Sequence, residues 1–435
     1  MRPSLLLALL LAVFASTGAS HAQSPSPSTS ISTLAFPGAQ GYGADTPGGR
    51  GGKIIRVTTL DATGPGSLQE AIRTKGPRII VFEVGGVIDL KNTTLKISEP
   101  DVTIAGQTAP SPGITLIKGS LVVSTHDVII RHLAVRPGEA GHPKKSGWNA
   151  DGITTVGASH VIFDHLSCTW ATDENLSTSG DRFQGETPDD WRKNTSHDIT
   201  ISSCIIAEGL SQSTHEKGEH SKGTLIHDNA SNISVIGNLY ACNVERNPLA
   251  KGGVQAVIVN NWISNPARNA IHAALDPGEW KGHAHETAKL VIVGNLLEHG
   301  PDTLEYVSLL GYREKTPMQI YMEDNLVFAK DGKPGRLTRG EKFPLEEKRI
   351  FWPAHLEAMP AEKVKDHVSK TAGARPWDRD TIDARIVNAA LKGQGKILNS
   401  EQEVGGYPVM KPTSREFKEG DWNLETMEPV KGYGG

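Results

Sequence analysis

Between Asn149 and Glu174 the chain carries four carboxylates, Asp151, Asp164, Asp173 and Glu174, among turn-forming and apolar residues. Lys222, Arg246 and Lys251 stand further on, in three polar stretches around the phrase Asn232–Tyr240. Hard oxygen ligands on irregular turns suit Ca²⁺, which takes roughly six to eight of them in flexible geometry, although the spacing is not that of an EF-hand. Carboxylates with a bound cation, faced by Arg and Lys, make a groove able to hold an acidic polymer. Each residue also has a plainer role. Asp is a common turn residue, and a single Arg or Lys is often a solvated surface charge. Asp164 stands inside a strand-like phrase and is expected to be structural.

Residues so far apart need a scaffold that brings them together, and one recurring phrase supplies it. Alternating apolar residues lead to a polar residue and then a second apolar pair. The phrase reads DVTIAGQ at Asp101–Gln107, DVIIRHLAV at Asp127–Val135, HVIFDHLSC at His160–Cys168 and DITISSCII at Asp198–Ile206. It returns as NISVIGNLY (Asn232–Tyr240), AVIVNNWIS (Ala256–Ser264), LVIVGNLLE (Leu290–Glu298) and IYMEDNLVF (Ile320–Phe328). Matching Gln107, His132, His165, Cys204, Asn238, Asn261, Asn295 and Asn325 gives steps of 23 to 39 residues. Such a period signals a solenoid, and β-branched alternation in phrases too short for helices makes it a β-solenoid. The predicted fold is all-β, a right-handed parallel β-helix. A stacked Asn can donate and accept along the axis while tolerating a left-handed turn.

In a coil architecture, residues about one period apart sit on neighbouring rungs. Asp151 precedes a strand and Asp173-Glu174 follow the next, so their carboxylates can meet on one lateral face. Cys168, Cys204 and Cys242 fall at or near one place in successive phrases and read as small apolar core residues, one of them necessarily unpaired.

The ends complete the plan. Residues 1–22 read as a secretory signal, with Arg2, an apolar run from Leu5 to Phe14 and a small-residue exit at Ser20-His21-Ala22. That run is too short to span a bilayer, and no later stretch does. Residues 23–34 are a Ser/Pro-rich spacer, and the protein is expected to be secreted, extracellular or periplasmic. A chain of 435 residues would ordinarily suggest two or three domains, but a solenoid grows along one axis and escapes that limit. The expected β-helix runs over 35–345. Ser67-Leu68-Gln69-Glu70 is a capping box opening a short helix just before a first strand at Ile79–Val84, where an N-terminal cap belongs. The extension 346–435 is expected to pack on the solenoid, with one helix from Pro360 carrying Val364 and Val368 and another near Arg379 to Lys392. A net charge of −4 points to neither nucleic acid nor a membrane surface.

Other motifs fail. His215 and His220 are one residue too far apart for a zinc-binding helix, and Gly41–Gly52 neither follows a predicted strand nor opens a helix, which excludes a dinucleotide loop. His283-Ala284-His285-Glu286 offers at most a surface chelate.

Four segments together resemble the pectate lyases of polysaccharide lyase family 1, over about 35–350. They are the Gly-rich opening Gly41–Gly52, the segment Val81–Ile88, the Val161-Ile162-Phe163-Asp164-His165 phrase, similar to the family's Trp-Ile-Asp-His, and Arg246-x-Pro248-x-x-Lys251-Gly252, similar to its Arg-x-Pro-x-x-Arg-Gly. The resemblance implies a calcium-dependent β-elimination on α-1,4-polygalacturonate, an acidic plant cell-wall polysaccharide, by a monomer. Carried over by position, Asp151, Asp173 and Glu174 become the Ca²⁺ ligands, Lys222 and Lys251 bind substrate, and Arg246 is catalytic. Ser177 stands where many members have a further acid, and Lys251 replaces an arginine, losing the bidentate fork. Two competing functions are a β-helix glycoside hydrolase, which needs two carboxylates flanking the bond, and a non-catalytic binder of acidic polysaccharide.

Overall fold

From Asp127 onward each repeated phrase folds as a strand, a bend with one left-handed residue and a second strand, so the chain turns without a loop; in the first phrase Val102–Ala105 runs instead into a 3₁₀ turn, Gly106–Thr108. The computed structural model describes residues 34–312, 317–340 and 345–431; the expected signal segment 1–22 lies outside them. The first strands of the phrases stack in parallel into a ten-stranded sheet, from Lys53–Val57 and Arg78–Phe82 to Ala288–Val293 and Met318–Glu323. The second strands, Leu133–Arg136 through Leu326–Phe328, form a second sheet. A third contains Ile153–Val156, Leu176–Ser179, Leu225–Ile226, Leu249–Ala250, Ile271–Ala273, Leu310–Tyr312 and Thr338–Arg339. The long strands Val84–Ile97 and Ile114–Val123 belong to both of these. The expected parallel β-helix is what the chain forms.

Register explains the pattern. Ile104, Ile130, Phe163, Ile201, Val235, Ile258 and Ile292 are Cα partners in succession and build one aliphatic stack with no solvent exposure. Burying each such side chain is worth about 1.5–3 kcal/mol. At the bend, Asn238 donates through Nδ2 to Asn261 Oδ1 (2.9 Å), Asn261 to Asn295 Oδ1 (3.0 Å) and Asn295 to Asn325 Oδ1 (3.0 Å). The same oxygens accept backbone N–H groups from the preceding rung.

The ladder differs from the sequence alignment in one respect. His132 and His165 do not sit in line with these asparagines; Leu133 and Leu166 do. The two histidines fall one place earlier, on the left-handed residue itself (φ 59° and 52°), level with Ser203, Asn260 and Asp324. Both places take polar residues in some rungs (histidine, serine or aspartate at one, asparagine at the other), so alternation cannot tell them apart. Cys168 likewise pairs with Ile206 rather than with Cys204; all three cysteines are buried and free. The Asp, His or Asn that opens the first five phrases (Asp101, Asp127, His160, Asp198, Asn232) also has positive φ, which those residue types tolerate best.

The capping helix, Leu68–Arg73, turns Leu68, Ala71 and Ile72 into the core, and Ser67 Oγ accepts from Glu70 N. It does not precede the first strand: Lys53–Val57 comes before it and pairs with Arg78–Phe82. Lys53 and Arg56 break the apolar alternation there. The glycine-rich opening lies flat on the outer face of the first sheet. Gly43 and Gly49 donate N–H bonds to Thr200 and Thr103, and a Cβ at Gly49 would stand 1.7 Å from the Arg78 carbonyl oxygen.

The C-terminal stretch runs back along the solenoid. Phe351, Trp352 and Leu356 pack on Val257, Val259 and Val291. Helices Val364–Thr371 and Thr381–Leu391 press Val364, Val368, Ile382 and Ile386 against the outward side chains Ile205, Leu239, Trp262 and Leu296 of the second sheet. Asp380 caps the second helix by accepting from Ile382 N and Asp383 N, and Asp380 and Asp383 together clamp the fully buried Arg136. Thr413–Ser414 then pairs antiparallel with Gly85 and Val84, and Phe417 and Trp422 cover Ile79 and Val81.

Candidate active site

The third sheet begins at a line of charged residues. Gly152 donates its N–H to Glu174 O, Asn175 to Lys222 O and Gly223 to Glu245 O. Glu174 pairs with Lys222, and Lys222 with Glu245, as parallel bridges. Asp151, Glu174, Lys222 and Glu245 therefore occupy four successive rungs, about 4.8 Å apart along the axis.

Asp151, Asp173 and Glu174 each offer a carboxylate oxygen within 4.8 Å of the others. Asp151 Oδ1 accepts from Glu174 N at 3.1 Å. Burial, then the charge of Asp173, pushes the Asp151 carboxyl well above the usual range. Burial also raises Asp173, but the hydrogen bond and charge of His220 outweigh it and hold that carboxylate low. Two crowded carboxyls, one unable to ionise cheaply, describe a place that a cation would stabilise. The all-oxygen donor set fits Ca²⁺.

Arg246 closes this group, with Nη1 against Glu174 Oε1. Its backbone is left-handed (φ 65°) and the following Asn247–Pro248 bond is cis. Burial lowers its pKa; Asp173, Asp151 and Glu279 oppose that without cancelling it. Its Nε is buried without a hydrogen-bond partner among the described residues. Beneath it, Asn175 donates to Asn243 Oδ1 (3.1 Å) and Asn243 to Asn247 Oδ1 (3.0 Å), a second amide ladder that fixes the turn.

The other two cations are placed differently. Lys222 lies beside Glu174 but puts Nζ on Glu245 Oε1 at 2.7 Å. Lys251 stands apart from the three carboxylates. It is bound to Glu279 and lies 4.0 Å from the fully buried Asp228. Arg182 reaches the same two acids, Asp228 at 3.0 Å and Glu279 at 3.2 Å. Ser177 accepts the Leu225 N–H through Oγ. Asp164 is held by Arg131 (2.9 Å), His165 and Ser202, a structural knot within the wall, as expected of it.

The sequence missed several neighbours. His215 and His220 stack at 3.7 Å, and both face Asp173. His220 Nε2 lies 2.7 Å from Oδ1. His215 Nδ1 accepts from Lys217 N, leaving its proton on Nε2, 3.6 Å from Oδ2. They come from a long insertion with no period, so no spacing rule aligned them with Asp173. Glu245, Arg182, Asp228 and Glu279 were equally silent.

No family model matches the chain. Among curated proteins, probable pectate lyase C of Emericella nidulans is 32% identical over 386 residues, covering 86% of this chain and 80% of that protein. Probable pectate lyase C of Aspergillus terreus is 31% identical over 411 residues, covering 91% and 85%. Among solved structures, a pectate lyase bound to a hexasaccharide matches with a TM-score of 0.54 at 14% identity, over 80% of this chain and 99% of that one. The cedar pollen allergen Jun a 1 matches at 0.52 and 16% identity, over 77% and 92%. The structural likenesses speak for the β-helix, and the identities over most of both chains speak for more than the fold: this chain belongs to the pectate lyase family.

Proposed function

We propose that this pectate lyase cleaves α-1,4-linked polygalacturonate by calcium-assisted β-elimination and is exported by its segment 1–22. The lyase unit would span 35–345, with 346–435 packed on it. The observation that carries the reading is Arg246 turned onto a cluster of three carboxylates. When bound, calcium supplies a positive centre that draws charge from the uronate carboxylate and so acidifies the C5 proton. Asp151, Asp173 and Glu174 hold it, and the pair of histidines on Asp173 fixes one ligand's orientation. Lys222, level with Glu174, orients a second uronate carboxylate, and Lys251 supplies a further positive charge one turn on.

Arg246 acts at C5. Burial lowers its pKa, the direction a base needs, and loss of its partner Glu174 to a cation would lower it further. The C5–H pair becomes the C4–C5 double bond, the C4–O bond breaks, and the leaving oxygen takes a proton. The products are a 4,5-unsaturated sugar and a shortened chain. The test is ultraviolet absorbance of polygalacturonate with the protein, with added Ca²⁺ or chelator, and with Arg246→Ala. A rise lost on chelation and on substitution supports the assignment. New reducing ends without absorbance would make the protein a hydrolase instead.

A further inference from the structure

A chain of hydrogen bonds leaves Lys222 and runs away from the cluster along the third sheet. Glu245 takes Lys222 on Oε1 and accepts from Asn269 Nδ2 on Oε2 at 3.0 Å. Asn269 Oδ1 in turn accepts from Arg339 Nη2 at 2.8 Å. The acid fixes which way the amide faces, and the amide aims the guanidinium. Arg339 lies over the Tyr306 ring at 4.4 Å and has no carboxylate partner among the described residues.

The surface there is hollow. A depression of about 280 Å³ opens between Asn269, His272, Gly311 and Arg339. His272, Gly311 and Arg339 are outward-facing partners on three successive rungs, beginning one rung past Leu249. Gly311 supplies the floor. A Cβ there would come within 3.3 Å of Asn269 Oδ1, 3.5 Å of Arg339 Nη2 and 3.6 Å of His272 Cβ. Burial holds the His272 imidazole down to about 4, so it lines the hollow as a neutral group that can bond a hydroxyl. Arg339 lies three rungs past Arg246, roughly 14 Å along the axis.

We propose that this depression is a distal subsite for a uronate residue of the same polysaccharide, its carboxylate held by Arg339 and its hydroxyls by the His272 side of the hollow. The inference rests on the polygalacturonate reading above. A guanidinium with open donors, aimed by a relay on one side and held on an aromatic ring on the other, is pre-set to recognise a sugar carboxylate. The subsite lets a long chain engage at two points, so it favours polymer over short oligomers.

The experiment compares kcat/KM on polygalacturonate and on trigalacturonate for native protein, Arg339→Gln and Gly311→Val, with Arg349→Gln as control. Arg349 is paired with Glu323 of the first sheet, away from the groove. Arg339→Gln should lower the polymer-to-trimer ratio roughly tenfold, the loss of one charge-assisted bond, chiefly through KM. Gly311→Val, which fills the floor, should move it the same way, and the control should match native protein. In parallel, calorimetry in chelator measures binding of hexagalacturonate and of its methyl ester. The native preference for the acid form should shrink in Arg339→Gln. An unchanged ratio and an unchanged acid preference in both folded variants would overturn the subsite. Absence of turnover by native protein would overturn the lyase mechanism instead, while the binding arm would still decide the subsite.

Discussion

Replacing Glu245 by Gln tests whether the line of charges across the rungs is an energetic unit. Burial alone would raise the Glu245 carboxyl, but Lys222 first, then His272 and Arg268, bring it from 4.5 down to about 2. Glu245 is 19% exposed and Lys222 4%, so solvent screens the pair little. A carboxylate whose folded pKa is depressed adds stability that is complete above its unfolded value and is lost as pH falls through the folded one. A drop from 4.5 to about 2 corresponds to about 3 kcal/mol. Glu245→Gln should therefore cost about 3 kcal/mol at pH 7, leaving buried Lys222 with Glu219 at 3.9 Å as its ion-pair partner among the described residues. The gap to native protein should close between pH 4.5 and about 2, because native protein loses there what the variant never had. Urea unfolding followed by tryptophan fluorescence at several pH values gives both curves. A gap that stays constant with pH would refute the argument, since no depressed carboxylate would then lie behind it.

Asp151→Asn should raise the melting temperature of the calcium-free protein and abolish the rise that calcium gives the native one, measured by scanning calorimetry, because the amide removes a buried charge facing Asp173. Asn261→Leu strands Asn238 N inside the wall, while Asn238 Nδ2 keeps Ile201 O and Asn295 Oδ1 keeps the Asn261 N–H. It should cost about 1–3 kcal/mol in urea unfolding, the worth of one unmet buried group. Trp422→Ala should lose about 3 kcal/mol and expose 413–431 to proteolysis, with no change in the rate of product absorbance.

The rungs were legible because a solenoid writes one physical rule many times over. Inward and outward positions alternate, the phrase opens on a residue that tolerates positive φ, and an asparagine follows the bend. What went unread were the single exceptions. Lys53–Val57 opens on a lysine and carries Arg56 between its two inward residues Ile55 and Val57, and the His132–Asn238 offset lies in a turn where adjacent places both take polar residues in different rungs. For the site, period and resemblance together picked out Asp151, Asp173, Glu174, Lys222 and Arg246. The imidazoles on Asp173 and the Glu245–Asn269–Arg339 relay depend on how loops fold over a wall, and nothing periodic encodes that. Lys251 shows the same limit, since its tie to Glu279 depends on a segment 28 residues away.

The returning C-terminal stretch changes how the whole molecule melts. A stack of coils, each touching only its neighbours, frays from its ends one unit at a time. Here one strap is fastened over Val257 and Val291, over Ile205 and Trp262, and over Ile79 and Val81. The early coils cannot open without releasing Phe417 and Trp422, nor the middle ones without lifting the two helices. The array trades independent repeats for a single cooperative unit. It does so at the cost of contacts more than 300 residues apart, which can form only after the coils beneath them exist.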